Sequence, residues 1–262
     1  MNPWILATVA TGLLCLLFVG VYLLSRRLNN YGIVDVAWSY AFTFAALVYG
    51  VAGSGALPRR VILTAMISLW SLRLGTHLYV RVMSHHPVED GRYQQLRRDW
   101  QANFAGKMFG FFQMQAVSVV VLSVPFLLAM SNPARTFHGF EFAGLAVWLI
   151  ALAGEATADA QLNRFKRQPE NRGKVCTTGL WHYSRHPNYF FEWLVWVGYA
   201  LIALAAPWGW LGLISPIVIF YLLLRVTGIP LTEEQSVRSK GDAYRAYQRT
   251  TSAFVPWFPR RA

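Results

Sequence analysis

Acidic side chains are scarce in this chain, and cysteine is scarcer. Twelve Asp and Glu stand against 24 Lys and Arg, and only 14% of the 262 residues are charged. A soluble globular surface needs roughly a quarter of its residues charged, so this composition excludes one. Of the two cysteines, Cys15 sits in an apolar run and Cys176 in a basic loop, and no disulfide is expected. No Cys/His spacing matches a metal site, so no metal is expected either. Internal repeats, low-complexity tracts and flexible linkers are also missing, and residues 1–262 read as one domain.

What fills the chain is apolar. Hydrophobic residues make up 55% and aromatics 15%, and the mean hydropathy is +0.34. The expected fold is therefore all-α, a multi-pass integral membrane protein with the lipid bilayer as its first partner. Runs long enough to cross about 30 Å of hydrocarbon cover residues 3–24, 31–52, 61–80, 108–130, 140–162, 189–206 and 208–228, about seven helices. The first reads as a retained span, because Arg26-Arg27 follow it and no basic leader precedes it.

Net charge of +12 invites a nucleic-acid partner, yet the placement of the basic residues argues against one. Twenty of them fall in the segments around Arg26-Arg27, 81–107, 164–185 and 225–261, the alternate loops that a multi-pass protein keeps in the cytoplasm. Arg59, Arg60 and Arg135 lie on the other side, and Arg73 within a span. The N-terminus is predicted outside and the C-terminus inside, with phosphate binding as a second use of the inner basic loops. The loop 81–107 is expected to carry a short surface helix near 93–100 and no chemistry.

Two clusters break the apolar pattern. On the fifth span Glu155, Asp159 and Asn163 recur every four residues and share one helix face, with Lys166 close to the same line. Carboxylates in a spanning helix are costly and must face a cavity or a partner. Beyond them Lys166, Arg167, Arg172 and Lys174 suit a ligand with polar groups at one end and phosphates at the other. The second cluster is the run 179–192, which holds Trp181, His182, Tyr183, Ser184, Arg185, His186, Pro187, Asn188 and Glu192. Pro187 belongs at the first position of a helix, whose free N–H groups and dipole favour an anion beside Arg185. Asn188 and Glu192, four apart, project from one face and can exchange hydrogen bonds with a carboxamide. After the last span, Tyr244 and Tyr247 share a face at i,i+3, and an aromatic, Pro-rich end (Phe254, Pro256, Trp257, Phe258, Pro259) suits either a lid or an interfacial segment.

Taken together, the run 179–192, the preceding Asp159, Lys166 and Lys174, and Tyr244, Tyr247 and Pro256-Trp257-Phe258-Pro259 resemble the steroid 5-alpha-reductase family, in its bacterial membrane branch. The resemblance is specific from about Glu155 onward. It implies a monomeric, seven-helix NADPH-dependent oxidoreductase of lipid metabolism in the bacterial inner membrane, open to the cytoplasm and acting on a hydrophobic, steroid-like substrate. Residues 1–140 would supply the substrate side and 141–262 the cofactor side. By this resemblance Asp159, Asn188 and Glu192 hold the nicotinamide end, Lys166, Lys174 and Arg185 meet the phosphates, and Tyr244 or Tyr247 closes over the cofactor. Glu155, Asn163, Arg172, Tyr183 and His186 complete the expected cofactor-binding set. The chain departs from the vertebrate pattern at Glu155, where Asn is usual, at Lys166 and Lys174, which replace arginines, and at Asp35, where a Gln-Glu pair is usual.

Reducing a conjugated enone requires hydride at the β carbon and an acid at the carbonyl oxygen. Asp35 is the candidate acid, with Tyr79 and His77 of the third span assisting and Trp38 and Trp70 walling an apolar substrate slot. Membrane methyltransferases, such as isoprenylcysteine carboxyl methyltransferase and the phospholipid N-methyltransferases, share the Arg-His-Pro-x-Tyr turn at 185–189 and the Glu-Glu…Tyr-x-x-Tyr tail at 233–247. An S-adenosylmethionine-dependent methyl transfer to a lipid is therefore the second expectation.

Overall fold

A computed structural model describes residues 1–260, apart from the side chain of His85. Among these residues the fold is all-α, a multi-pass membrane protein with no β-strand. The helices are α1 (Pro3–Arg27), α2 (Ile33–Ala52), α3 (Leu57–His85), α4 (Gly91–Asp99), α5 (Phe104–Leu122), α6 (Val124–Met130), α7 (Gly139–Arg167), α8 (Leu180–Tyr183), α9 (Pro187–Ala203), α10 (Ile214–Tyr221), α11 (Ile229–Lys240) and α12 (Asp242–Thr250). Six helical segments are long and apolar enough to cross a membrane. The 17 residues of α9 extend about 25 Å, at the short end of a crossing length. Two compact units result, residues 1–137 with 205–212 and residues 138–204 with 213–262.

In the first unit, Pro3 at the start of α1 has no N–H to leave orphaned, and the Asn2 side chain accepts from the Trp4 amide at 2.9 Å. The core is aromatic: Phe42 of α2 meets the rings of Trp38, Trp70 and Phe126 edge-on at 4.8, 5.4 and 6.3 Å. The predicted span 108–130 is two helices. Pro125 cannot continue the ladder of α5, and the chain restarts as α6 after Ser123, whose hydroxyl meets that of Tyr49 at 2.9 Å. Arg59 is 2% exposed and buries its charge among main-chain oxygens and a ring. Its guanidinium donates to the carbonyls of Asn132, Ala134 and Thr136 at 3.1, 2.6 and 3.1 Å and lies over the Phe137 ring.

In the second unit, α7 opens on a capping box in which the Phe140 amide donates to His138 and the His138 amide donates to Glu141. It packs on α9 through Gly144 and Gly198. A Cβ on Gly144 would stand 2.6 Å from the Gly198 carbonyl oxygen, and one on Gly198 would stand 2.9 Å from that of Gly144. The two backbones therefore touch, as small residues allow between membrane helices. Pro187 begins α9, and the Ser184 hydroxyl accepts from the His186 amide at 3.1 Å. The last apolar run is interrupted: α10 gives way to a π-helical turn at Leu222–Val226 and then to α11 with Pro230 in its first turn. Residues 251–260 return along the α8–α9 junction. There the Arg185 amide donates to the Ser252 carbonyl at 2.8 Å and the Trp257 amide to that of Tyr183 at 2.9 Å.

Because backbone blocks both added methyls, Gly144→Ala should destabilise the protein by about 1–3 kcal/mol in detergent. Gly12→Ala, whose new Cβ meets nothing within 4 Å, should not. Thermal unfolding of the two variants side by side tests this, and equal melting temperatures would refute the close approach.

Candidate functional site

The polar face of α7 meets that of α9. The Asn188 amide nitrogen donates to Asp159 Oδ1 at 3.4 Å, which joins one member of each i,i+4 series. Glu192, one turn further along α9, accepts from the Trp196 indole at 3.0 Å. The buried Tyr199 hydroxyl lies in the field of both Glu192 and Glu155, so the second pair of acids converges on the same seam. Glu155 is buried, Asp159 and Glu192 are half-buried, and Asn163 and Lys166 at the end of the stripe are exposed. One atom stands out chemically. Asn188 Oδ1 is buried and accepts no hydrogen bond, leaving an amide acceptor unsatisfied beside a carboxylate. Such an atom costs about 1–3 kcal/mol until a donor reaches it.

The run 179–186 does something the sequence did not disclose. Gly179 has φ +61°, and a Cβ there would strike the Gln161 carboxamide, whose oxygen accepts from the Leu180 amide at 2.8 Å. The turn that follows aims Arg185 into the protein. Its Nε donates to Glu233 Oε1 at 2.6 Å, and its Nη1 donates to the carbonyls of Gln248 at 3.1 Å and of Thr251. His186, 3% exposed, sits 3.3 Å from the same Glu233 oxygen and stacks on Tyr189, while the Gln248 amide donates to the other oxygen at 2.9 Å. Arg185 and His186, expected at the ligand, thus clamp α11, α12 and the chain end to the start of α9. The Tyr247 hydroxyl donates to the carbonyls of Trp181 and Ser184, and burial raises its pKa. Burial, and then the charge of Glu233, push Tyr244 up to about 12. Both tyrosines are buried struts in this arrangement. Tyr183 is exposed at one edge, with its ring against Phe258. Arg172 and Lys174 are exposed, as Lys166 is, and carry the cationic end of the stripe.

In the first unit the loop 81–107 carries the expected short helix, as α4, and sets charged and aromatic groups against Asp35. Asp90 caps α4, accepting from the Arg92 amide at 3.0 Å, and this fixes the next two side chains on Asp35. Arg92 Nη2 donates to Asp35 Oδ2 at 2.7 Å and the Tyr93 hydroxyl to Oδ1 at 2.8 Å, with Arg81 at 3.9 Å. Asp35 thus accepts on both oxygens, from Arg92 and from the Tyr93 hydroxyl. Tyr93 is 3% exposed, and burial followed by the Asp35 charge holds its phenol well above the usual 10.0. Burial opposes the charge of Arg92, but Asp35 and Tyr93 outweigh it and raise its pKa. Burial also opposes ionisation of Asp90, yet the Arg92 amide and guanidinium prevail and lower its pKa. Alongside, Arg97 donates to the buried Glu89 at 2.6 Å and lies over the rings of Tyr31 and Phe104. Trp70 has no exposed surface and belongs to the core, Trp38 donates to Ser118 at 2.9 Å, and Tyr79 and His77 are each exposed on α3. A long-range pair such as Asp35 with Tyr93 leaves no periodic trace, and the only signal was an acid near a span end followed by a basic, aromatic loop.

A profile described as "Protein of unknown function (DUF1295)" matches residues 21–251. This chain belongs to the DUF1295 family. The matched segment contains Asp35, Tyr93, Asp159, Arg185, Asn188 and Glu233. An uncharacterized protein of Schizosaccharomyces pombe is 26% identical over 288 aligned positions, covering 97% of this chain and 80% of the yeast protein. No solved structure matches.

Two outcomes follow for this DUF1295 protein. Arg185→Ala strands Glu233 in a largely buried site and should cost about 3–5 kcal/mol. Arg238→Ala, which breaks only an exposed pair with Glu234, should leave the melting temperature unchanged. For Tyr93 the folded pKa lies above the unfolded one, so its stabilisation is complete below pH 10 and declines as pH rises toward the folded value. Unfolding followed from pH 9 to about 11.5 should decline more gently in Tyr93→Phe than in the wild type. Parallel curves would show that the phenol is not held in its protonated form.

Proposed function

We propose that this protein is an NADPH-dependent membrane reductase that saturates the conjugated double bond of a lipid enone, with 3-oxo-4-ene steroids as the representative substrate class. The observation that carries this reading is the Asn188 carboxamide, donating to Asp159 and keeping a buried, unsatisfied oxygen. That oxygen can accept from a carboxamide N–H, and the acids of the seam can accept the second, so these residues fit the nicotinamide end of the cofactor. Lys166, Arg172 and Lys174, exposed past the C-terminal end of the stripe, fit its phosphates. Arg185 is left out of that set, because its Nε and Nη1 are committed to Glu233 and to backbone.

NADPH, when bound, supplies the hydride. The chain's own residues must fix the nicotinamide, exclude water and stabilise the negative charge that grows on the carbonyl oxygen. Asn188, Asp159 and Glu192 do the first. The cluster of Asp35, Arg92 and Tyr93, which belongs to the first unit, is assigned no step in this reading, nor are Tyr79 and His77. Seven crossings, with the N-terminus outside and the C-terminus inside, place the cationic end of the stripe toward the bacterial cytoplasm, where the nucleotide is available. The protein acts as a monomer.

Purified protein should be stabilised by NADPH more than by NADH or S-adenosylmethionine. A shift with S-adenosylmethionine alone would replace reduction by methyl transfer. Asn188→Ala should weaken NADPH binding at least tenfold while folding normally. Glu192→Gln should lose reduction of progesterone while folding normally, and unchanged turnover would remove it from the site.

A further inference from the structure

We propose that the cavity beside the chain end is a binding site for the phosphate headgroup of an anionic membrane lipid. It measures about 490 Å³, within the range of small-ligand sites, and lies wholly in the second unit. Arg249, Ser252, Trp257, Phe258 and Arg260 line it. Its wall is already built: the Arg260 amide donates to the Thr250 carbonyl at 2.8 Å, and Arg185 holds the carbonyls of Gln248 and Thr251 from behind. The cavity therefore needs no large ordering step before a ligand enters.

Its chemistry is cationic on one side and apolar on the other. Arg249 and Arg260 are exposed, and neither has an acidic partner among the described residues. Two guanidinium forks at one opening match the geometry of a phosphate. Beside them Trp257 and Phe258 are 69% and 75% exposed, the heaviest apolar exposure at this end of the chain. A soluble phosphate needs no such rim, whereas a lipid phosphate arrives with acyl chains attached, and aromatic side chains favour the level of the headgroups. The rim therefore selects a lipid over a free anion. This inference does not depend on the reductase reading, since none of these residues is assigned to the nicotinamide or to the enone.

Native mass spectrometry of the full chain in detergent, titrated with phosphatidylglycerol and phosphatidylcholine, tests the site. Each arginine near an anionic headgroup is worth about fivefold. The wild type should therefore retain phosphatidylglycerol at least about fivefold over phosphatidylcholine, and Arg249→Gln/Arg260→Gln should lose that preference. A preference undiminished in the double variant would overturn the proposal. Inorganic phosphate and glycerol 3-phosphate, added at millimolar concentration, should fail to displace the lipid, and full displacement would assign the cavity to a soluble phosphate compound instead. If the double variant does not fold, the wild type still decides. Quenching by brominated phosphatidylglycerol, taken as the part lost in Trp257→Phe, should exceed quenching by brominated phosphatidylcholine, and equal quenching would refute a headgroup-specific site.

Discussion

The contact between α7 and α9 governs the second unit. Side chains at 144 and 198 would hold these helices apart, and their absence lets backbone lie on backbone. In lipid there is little hydrophobic gain from bringing two apolar helices together, so dispersion at such a close approach is what holds them. Once the pair is closed, Asp159 and Asn188 come within hydrogen-bonding reach, and Glu155 and Glu192 both lie near Tyr199. Acids that would be prohibitive facing hydrocarbon become tolerable because each faces another polar group. The polar seam is thus a dependent of the glycine contact, and its chemistry is available only while that contact holds.

How far the sequence discloses this depends on the range of the interaction. Residues linked by helical periodicity were readable: Glu155 with Asp159, Asn188 with Glu192, and Pro187 as the first residue of α9. Hydropathy located the apolar runs but not their breaks, because Pro125 and the π turn at 222–226 interrupt helices without changing composition. Charge was readable as sign and position and not as partnership. Arg185 looked like an anion ligand because it is cationic beside a helix start, yet its partners lie some 50–70 residues further along the chain. Tyr93 gives no such signal, for the opposite reason. A tyrosine in a polar loop is unremarkable until folding sets it on Asp35, 58 positions away.

Both units use the same device, in which a short polar segment outside the apolar bundle is secured by charged groups near the end of a long helix. In the first, α4 is secured through Asp90, Arg92 and Arg97 to Asp35 and Glu89. In the second, α12 and the residues after it are secured through Arg185, Glu233 and Gln248. Each clamp mixes ion pairs with hydrogen bonds to backbone carbonyls, which satisfies the donors of arginine more completely than a carboxylate alone. Function then divides in kind. Groups already engaged inside the fold, such as Arg185 and Tyr247, hold shape, while groups left with a spare valence, such as Asn188 Oδ1, are where a ligand has something to gain.

Arg59 extends that division into evolutionary behaviour. It binds the segment 132–136 through the main-chain oxygens of Asn132, Ala134 and Thr136, and any residue at those positions offers the same oxygens. Selection should therefore bear heavily on the arginine and lightly on the side chains of the loop it holds. Homologues are expected to drift freely at 133–136 in identity, though not in length, while position 59 stays fixed.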